Sequence, residues 1–165
     1  MNDEAVVVAL GSNLSGQFNS VQTLLEAALA DFAAAGLKVA GRSSWWRSAS
    51  WPDAGQPDYL NGVVLVETGL DPHAMLQALR QIETQYGRLR ARPNAPRTLD
   101  LDLIAHGRTL LDDAVLTLPH PRAAERLFVM GPLAEIAPEW VHPVSGETAR
   151  TLAARASVGA DARRV

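Results

Sequence analysis

Between Arg97 and Ile104 the chain reads Arg-Thr-Leu-Asp-Leu-Asp-Leu-Ile, and this alternation constrains the fold more than any other stretch. Successive side chains of a β-strand point to opposite faces. Asp100 and Asp102 therefore share one face, while Leu101 and Leu103 occupy the other, where they can pack on helices. Two like charges side by side are unfavourable unless a cation sits between them, and the usual candidates are Mg²⁺ or a guanidinium. Arg97 is close in sequence, but Arg88, Arg90 and Arg92, spaced by two just upstream, make a metal–phosphate complex the more attractive partner. Arginine forks suit multidentate phosphate binding.

The surrounding pattern predicts an α+β sandwich. Val6 to Leu10 is a short apolar run ending at Gly11, as expected for a buried strand followed by a turn. Residues 19–35 place Val21, Leu24, Leu25, Ala28, Leu29 and Phe32 at helical spacing, with Gly36 as the C-cap. Leu37 to Trp46 reads as a second strand and Val63 to Glu67 as a third. Asp71-Pro72 opens a second helix that ends at Gly87, and a C-terminal helix falls within Thr148 to Ala156. Two long loops remain, Arg47 to Asp58 and Arg88 to Pro96, and loops of that length are often functional. The strand–helix–strand units predict a mostly antiparallel sheet with packed helices, with the last few residues frayed.

At 165 residues without a low-complexity tract or a composition break, the whole chain, 1–165, reads as a single domain. A net charge of −3 gives no reason to expect a nucleic acid. There is no cysteine, so a disulfide scaffold and a thiolate metal site are both excluded. The N-terminus is acidic where a signal peptide would be basic, and no apolar run approaches membrane-spanning length; a cytoplasmic protein is the simplest expectation. Lys38 is the sole lysine, so anion binding falls to arginine.

Other constellations carry less by themselves. Gly11-Ser-Asn-Leu-Ser-Gly16 starts like a phosphate-binding loop, but Gln17-Phe18 stand where Lys-Ser/Thr is required, which leaves a turn and helix entry as the simpler reading. Tyr59 beside Asn61 can be core, or can hold a flat heterocycle by stacking and paired hydrogen bonds, with Phe128 as an opposite wall. Glu83 lies three residues after Arg80, so a surface ion pair is its ordinary explanation. His120, between Pro119 and Pro121, can cap a turn or donate to a phosphate; His73, His106 and His142 lack zinc-ligand spacing. Trp45, Trp46 and Trp140 are assigned to packing, whereas Trp51 lies in a polar loop.

Taken together, Gly11-Ser-Asn13, Gln56-Pro-Asp-Tyr-Leu-Asn61, Pro96-Arg-Thr-Leu-Asp-Leu-Asp102, Pro119-His-Pro121 and Pro132-Leu-Ala-Glu-Ile-Ala-Pro138 resemble the 6-hydroxymethyl-7,8-dihydropterin pyrophosphokinase family over most of the chain. The resemblance implies a ferredoxin-like α+β fold. It also implies transfer of the terminal diphosphate of ATP to the hydroxymethyl group of 6-hydroxymethyl-7,8-dihydropterin, releasing AMP in folate biosynthesis. By that resemblance Asp100 and Asp102 hold two Mg²⁺ ions, and Asp100 is the better placed near the attacking hydroxyl. Ser48, Ala49, Trp51, Tyr59, Asn61 and Phe128 map to the pterin pocket. Arg88 and Arg90 map to catalytic phosphate contacts, and Glu83, Arg97, His120 and Arg126 to ATP. Closure of the two long loops would exclude water. The implied protein is a monomer acting on small molecules.

The arginine loop departs from the family pattern. Pro93 stands where a charged residue is usual, and a common aromatic is missing, with Asn94 nearby; outside the loop, Arg80-Gln81 is transposed relative to a familiar Gln-Arg pair. That altered loop is the only support for a rival, a binding module that kept the fold and lost the reaction. A Mg²⁺-dependent phosphodiesterase would share the aspartates but would not need Tyr59, Asn61 and Phe128.

Overall fold

The computed structural model describes residues 4–49, 55–87 and 98–165. Its centre is β1, Val6–Ser12, buried at all seven positions. The strand runs two residues past the apolar run, so Gly11 and Ser12 are strand rather than turn. Complete burial of an antiparallel strand requires cover on both faces. Two separate apolar cores supply it.

The first core lies under two helices, α1 (Val21–Ala30) and α2 (Pro72–Gln85). Ser20 caps α1 by accepting the Thr23 N–H at 3.1 Å, and Asp71 caps α2 by accepting from Ala74 at 2.9 Å. α1 is shorter than its periodicity predicts. At its end the Asp31 carboxylate accepts the Tyr86 hydroxyl at 2.5 Å and Phe32 turns fully into the core, so the chain tightens into a 3₁₀ turn over Ala33–Ala35. Gly36, at φ 86°, closes that turn, where left-handed backbone favours glycine.

The predicted second strand is two strands, β2 (Lys38–Arg42) and β3 (Trp46–Ser48), both paired antiparallel to β4 (Tyr59–Glu67). The break comes where the Trp45 ring lies over Gly62; a Cβ on Gly62 would be 2.7 Å from that ring. β4 starts four residues earlier than its Val-rich run suggests, which brings Tyr59 and Asn61 into the sheet. With β5 (Asp100–His106) the main order is β5-β1-β4-β3, and the two helices cross over as in a ferredoxin-like α+β sandwich, the expected class.

The rest of the chain covers the opposite face. A small hairpin, β6 (Leu111–Asp112) with β7 (Thr117–Leu118), leads through a cis Leu118-Pro119 bond to α3, Leu127–Ile136, followed by α4, Ala149–Arg155. The apolar spacing singles out no helix here, and Gly131 and Pro132 are poor helix formers in a segment apolar on nearly every side. Burial overrides propensity here: Val129, Met130 and Leu133 pack with Val7, Ala9, Val63, Ile104 and Trp140. The C-terminus does not fray. Arg163–Arg164 form β8 against Trp46 and Arg47, and the Val165 N–H donates to the Trp45 carbonyl at 2.9 Å.

Candidate active site

Strand register brings the polar residues together. Gly11 pairs with Asn61 on one side and Asp100 on the other, Ala9 pairs with Val63 and Asp102, Trp46 with Asn61, and Ser48 with Tyr59. Directly opposed residues of an antiparallel sheet project from the same face. Ser48, Tyr59, Asn61, Asp100 and Asp102 thus share the α3 face, at the end where the apolar cover stops. Leu101 and Leu103, only 4% and 3% exposed, belong to the opposite core, so the alternation in β5 separates charge from core as its spacing predicts.

Each position is held by something specific. Asn61 is buried and donates through Nδ2 to the Ser48 hydroxyl at 2.9 Å, which fixes the amide at the floor of the row. A Cβ on Gly11 would approach Asn61 Oδ1 to 3.2 Å, so glycine keeps the space between Asn61 and Asp100 open. Glu135 of α3 accepts from Ser44 N at 2.9 Å and from Trp46 Nε1 at 3.0 Å, tying β3 to α3. Asn13 is buried and donates to Gln56 Oε1 and the Pro57 carbonyl, both at 3.2 Å, which fastens the end of β1 to the approach to β4.

Glu83 is 2% exposed, so the surface-ion-pair explanation is wrong. Its Oε2 accepts the Leu101 N–H at 2.8 Å, and Leu101 is the residue between the two aspartates. α2 therefore holds the free edge of β5 at the residue between the two aspartates. Sequence spacing carries no signal for such a long-range contact.

His120 enters from the segment after the hairpin, with its N–H donating to the Ile104 carbonyl at 2.8 Å. Its Nδ1 accepts the Arg122 N–H at 3.2 Å, so the turn-capping reading holds, and the neutral ring carries its proton on Nε2. Burial pushes the imidazole pKa down; Asp102 pulls it up, while Arg126 and Arg122 push it further down. Asp102, His120 and Arg126 are thus within electrostatic reach of one another. The Arg126 guanidinium also lies over the Phe128 ring, 5.7 Å from its centroid.

Trp51, Arg88, Arg90 and Arg97 lie outside the described residues, as do Pro93 and Asn94. Among the described residues no group of three or more His, Cys, Asp or Glu side chains converges to cage a metal. Mg²⁺ is usually bound by one or two carboxylates completed by water and substrate phosphates. The two-carboxylate donor set on β5 fits that mode. A surface groove lined by Leu29, Ala33, Leu37 and Val39 lies away from this row.

The sheet order and the polar row together define an α+β sandwich with two carboxylates and a buried amide on one face. The family model of 7,8-dihydro-6-hydroxymethylpterin-pyrophosphokinase matches residues 7–138. The chain is 47% identical over 143 residues to the 2-amino-4-hydroxy-6-hydroxymethyldihydropteridine pyrophosphokinase of Synechocystis sp., covering 86% of this chain and 71% of that protein. It is 38% identical over 149 residues to the protein of the same name from Methylorubrum extorquens, covering 90% of each. A crystal structure of a Plasmodium falciparum HPPK-DHPS triple mutant superposes with a TM-score of 0.71 at 15% identity, over 97% of this chain and 47% of that chain. That likeness is one of fold, and it extends over less than half of the longer protein. The chain belongs to the 7,8-dihydro-6-hydroxymethylpterin-pyrophosphokinase family.

Proposed function

We propose that this pyrophosphokinase of folate biosynthesis transfers the terminal diphosphate of ATP to the hydroxymethyl oxygen of 6-hydroxymethyl-7,8-dihydropterin, and that the α3 face of the sheet is where it does so. The hydroxyl oxygen–β-phosphorus bond forms as the bond from that phosphorus to the bridging oxygen of the α-phosphate breaks; AMP leaves with the bridging oxygen, and the hydroxyl proton is released to solvent. The observation that carries the reading is the row in which Asn61 and Asp100 flank Gly11 on one face, which supports an amide for the heterocycle and carboxylates for the phosphates in one site.

Asn61, oriented by Ser48, supplies the amide that pairs with the flat pterin edge, and Tyr59 and Phe128 supply its stacking walls, with Ser48, Ala49 and Trp51 as further contacts. Asp100 and Asp102 would hold the two Mg²⁺ ions together with the phosphates. Mg²⁺ bound there supplies charge neutralisation on the phosphate oxygens. Asp100, in the row of Asn61, lies nearer the attacking hydroxyl, and Asp102, beside His120 and Arg126, lies nearer the nucleotide. His120 donates from Nε2 and Arg126 supplies fixed positive charge to the phosphates. Arg88, Arg90 and Arg97 take phosphate roles on the strength of the family resemblance. Glu83 acts at the free edge of the strand as a positioning group, by holding the Leu101 N–H. Catalysis then rests mainly on orientation and electrostatics.

The same reading has residues 1–165 working as one domain and as a monomer in the cytoplasm, on small-molecule substrates. Both cores are closed by the chain's own helices, which supports the monomer. Incubation with the pterin, ATP and Mg²⁺, followed by separation of the nucleotides, tests the function. AMP formed only when the pterin is present is the expected result; ADP, or no turnover, contradicts it.

A further inference from the structure

The family match ends at residue 138, yet the chain beyond it returns to the pterin side of the site. The Val158 N–H donates to the Glu125 carbonyl and the Leu127 N–H to the Val158 carbonyl, both at 2.9 Å, so the returning segment brackets Arg126 at the entry to α3. Gly159 then adopts φ +67°, and a Cβ there would lie 2.5 Å from Phe128 Cδ1 and 3.0 Å from Cε1. The ring therefore packs directly on glycine backbone. Two residues on, Asp161 Oδ2 accepts the Ala49 N–H at 2.8 Å, immediately after the Ser48 that orients Asn61. Arg163 and Arg164 complete the return as an added strand on Arg47 and Trp46.

We propose that Val158–Arg164 is a positioning element for pterin recognition: Gly159 sets the position of the Phe128 ring, and Asp161 sets the backbone of Ala49. The proposal rests on the reading of Ser48, Ala49, Asn61 and Phe128 as the pterin pocket. Asp161 is exposed, and an exposed hydrogen bond adds little to global stability. Its consequence falls on the geometry of the residues it holds. Val158 borders Arg126 on the nucleotide side through backbone alone, whereas the Asp161 contact is to Ala49 and to none of Asp100, Asp102, His120 and Arg126, so a change at Asp161 acts on the pterin rather than on the nucleotide.

Steady-state kinetics on the full chain, varying the pterin and ATP separately, test this with Asp161→Ala, Asp161→Asn and Gly159→Ala. Asp161→Ala raises the pterin KM by about three- to tenfold, the range set by one hydrogen bond, with the ATP KM unchanged. Asp161→Asn retains an acceptor oxygen and restores the pterin KM. Gly159→Ala raises the pterin KM at least as much as Asp161→Ala, and thermal melting identifies any loss of fold in that variant. A pterin KM that stays at the wild-type value in Asp161→Ala, or pterin and ATP KM values that rise together, overturns the proposal. Failure of the underlying reading has a different signature: the wild-type chain itself forms no pterin-dependent AMP, and the proposal falls with it.

Discussion

On the face covered by α1 and α2, the sheet presents Val8, Leu10, Leu60, Val64, Leu101 and Leu103, and the apolar layer is closed. On the face covered by α3 and α4, the same strands are apolar through Val7, Ala9, Val63 and Ile104, then change to Asn61, Asp100 and Asp102. The helices explain the difference. α1 and α2 pack on the first face, whereas α3 begins only at Leu127, with His120 and Arg126 before it and Phe128 in its first turn. One set of strands can therefore hold the fold with odd-numbered leucines and present chemistry with even-numbered aspartates. Glu83 links the closed face to the polar row by accepting the Leu101 N–H.

This contrast is open to direct attack by substitution. Asp102→Asn is expected to lower turnover by about 100-fold or more, the scale of losing one preorganised electrostatic group, while its melting temperature stays near that of the wild type. Equal loss of activity and stability would show that Asp102 serves the fold. Leu103→Ala, one residue further along and on the other face, is expected to lose about 2–5 kcal/mol in denaturant unfolding while the folded fraction keeps its turnover. A turnover loss larger than the unfolded fraction explains would place function on both faces.

The smallest effect concerns pH. His120 is held below its ordinary value, chiefly by burial, so the folded protein favours the neutral ring. The unfolded chain then binds more protons at mildly acidic pH, and stability rises with pH in that range. The contribution of His120 is present above about 6.5 and is lost as pH falls through that value toward the depressed folded pKa. His120→Gln is expected to flatten this decline between about pH 8 and 5. Unfolding curves whose pH slope matches that of the wild type would contradict the assignment.

The two faces also differ in how far the sequence discloses them. The closed face announces itself through periodicity: the helical spacing of α2, its Asp-Pro start, and the Leu-Asp alternation of β5 all appear as read. The shared face of Asp100 and Asp102 follows from strand geometry alone. The pterin side is harder. Tyr59 and Asn61 share a face only through register, and Phe128 sits against Gly159 on a helix whose Gly131-Pro132 pair argues against it, so the family resemblance is what singles them out. Glu83 reads as a surface residue because local spacing cannot report its contact with a distant strand backbone. β8 is missed because two arginines carry no strand period, and only the partner strand decides that they pair.

The central claim is that substrates meet the protein on the α3 face of the sheet. Backbone amide NMR shifts, recorded as Mg²⁺, a non-hydrolysable ATP analogue and the pterin are added, test it most directly. The predicted perturbations fall at Gly11, Ala49, Asn61, Leu101, Asp102 and Phe128, with α1 and the groove between Leu29 and Val39 unchanged. Perturbations concentrated at Leu29, Ala33, Leu37 and Val39, with Asn61 and Asp102 unmoved, would contradict it.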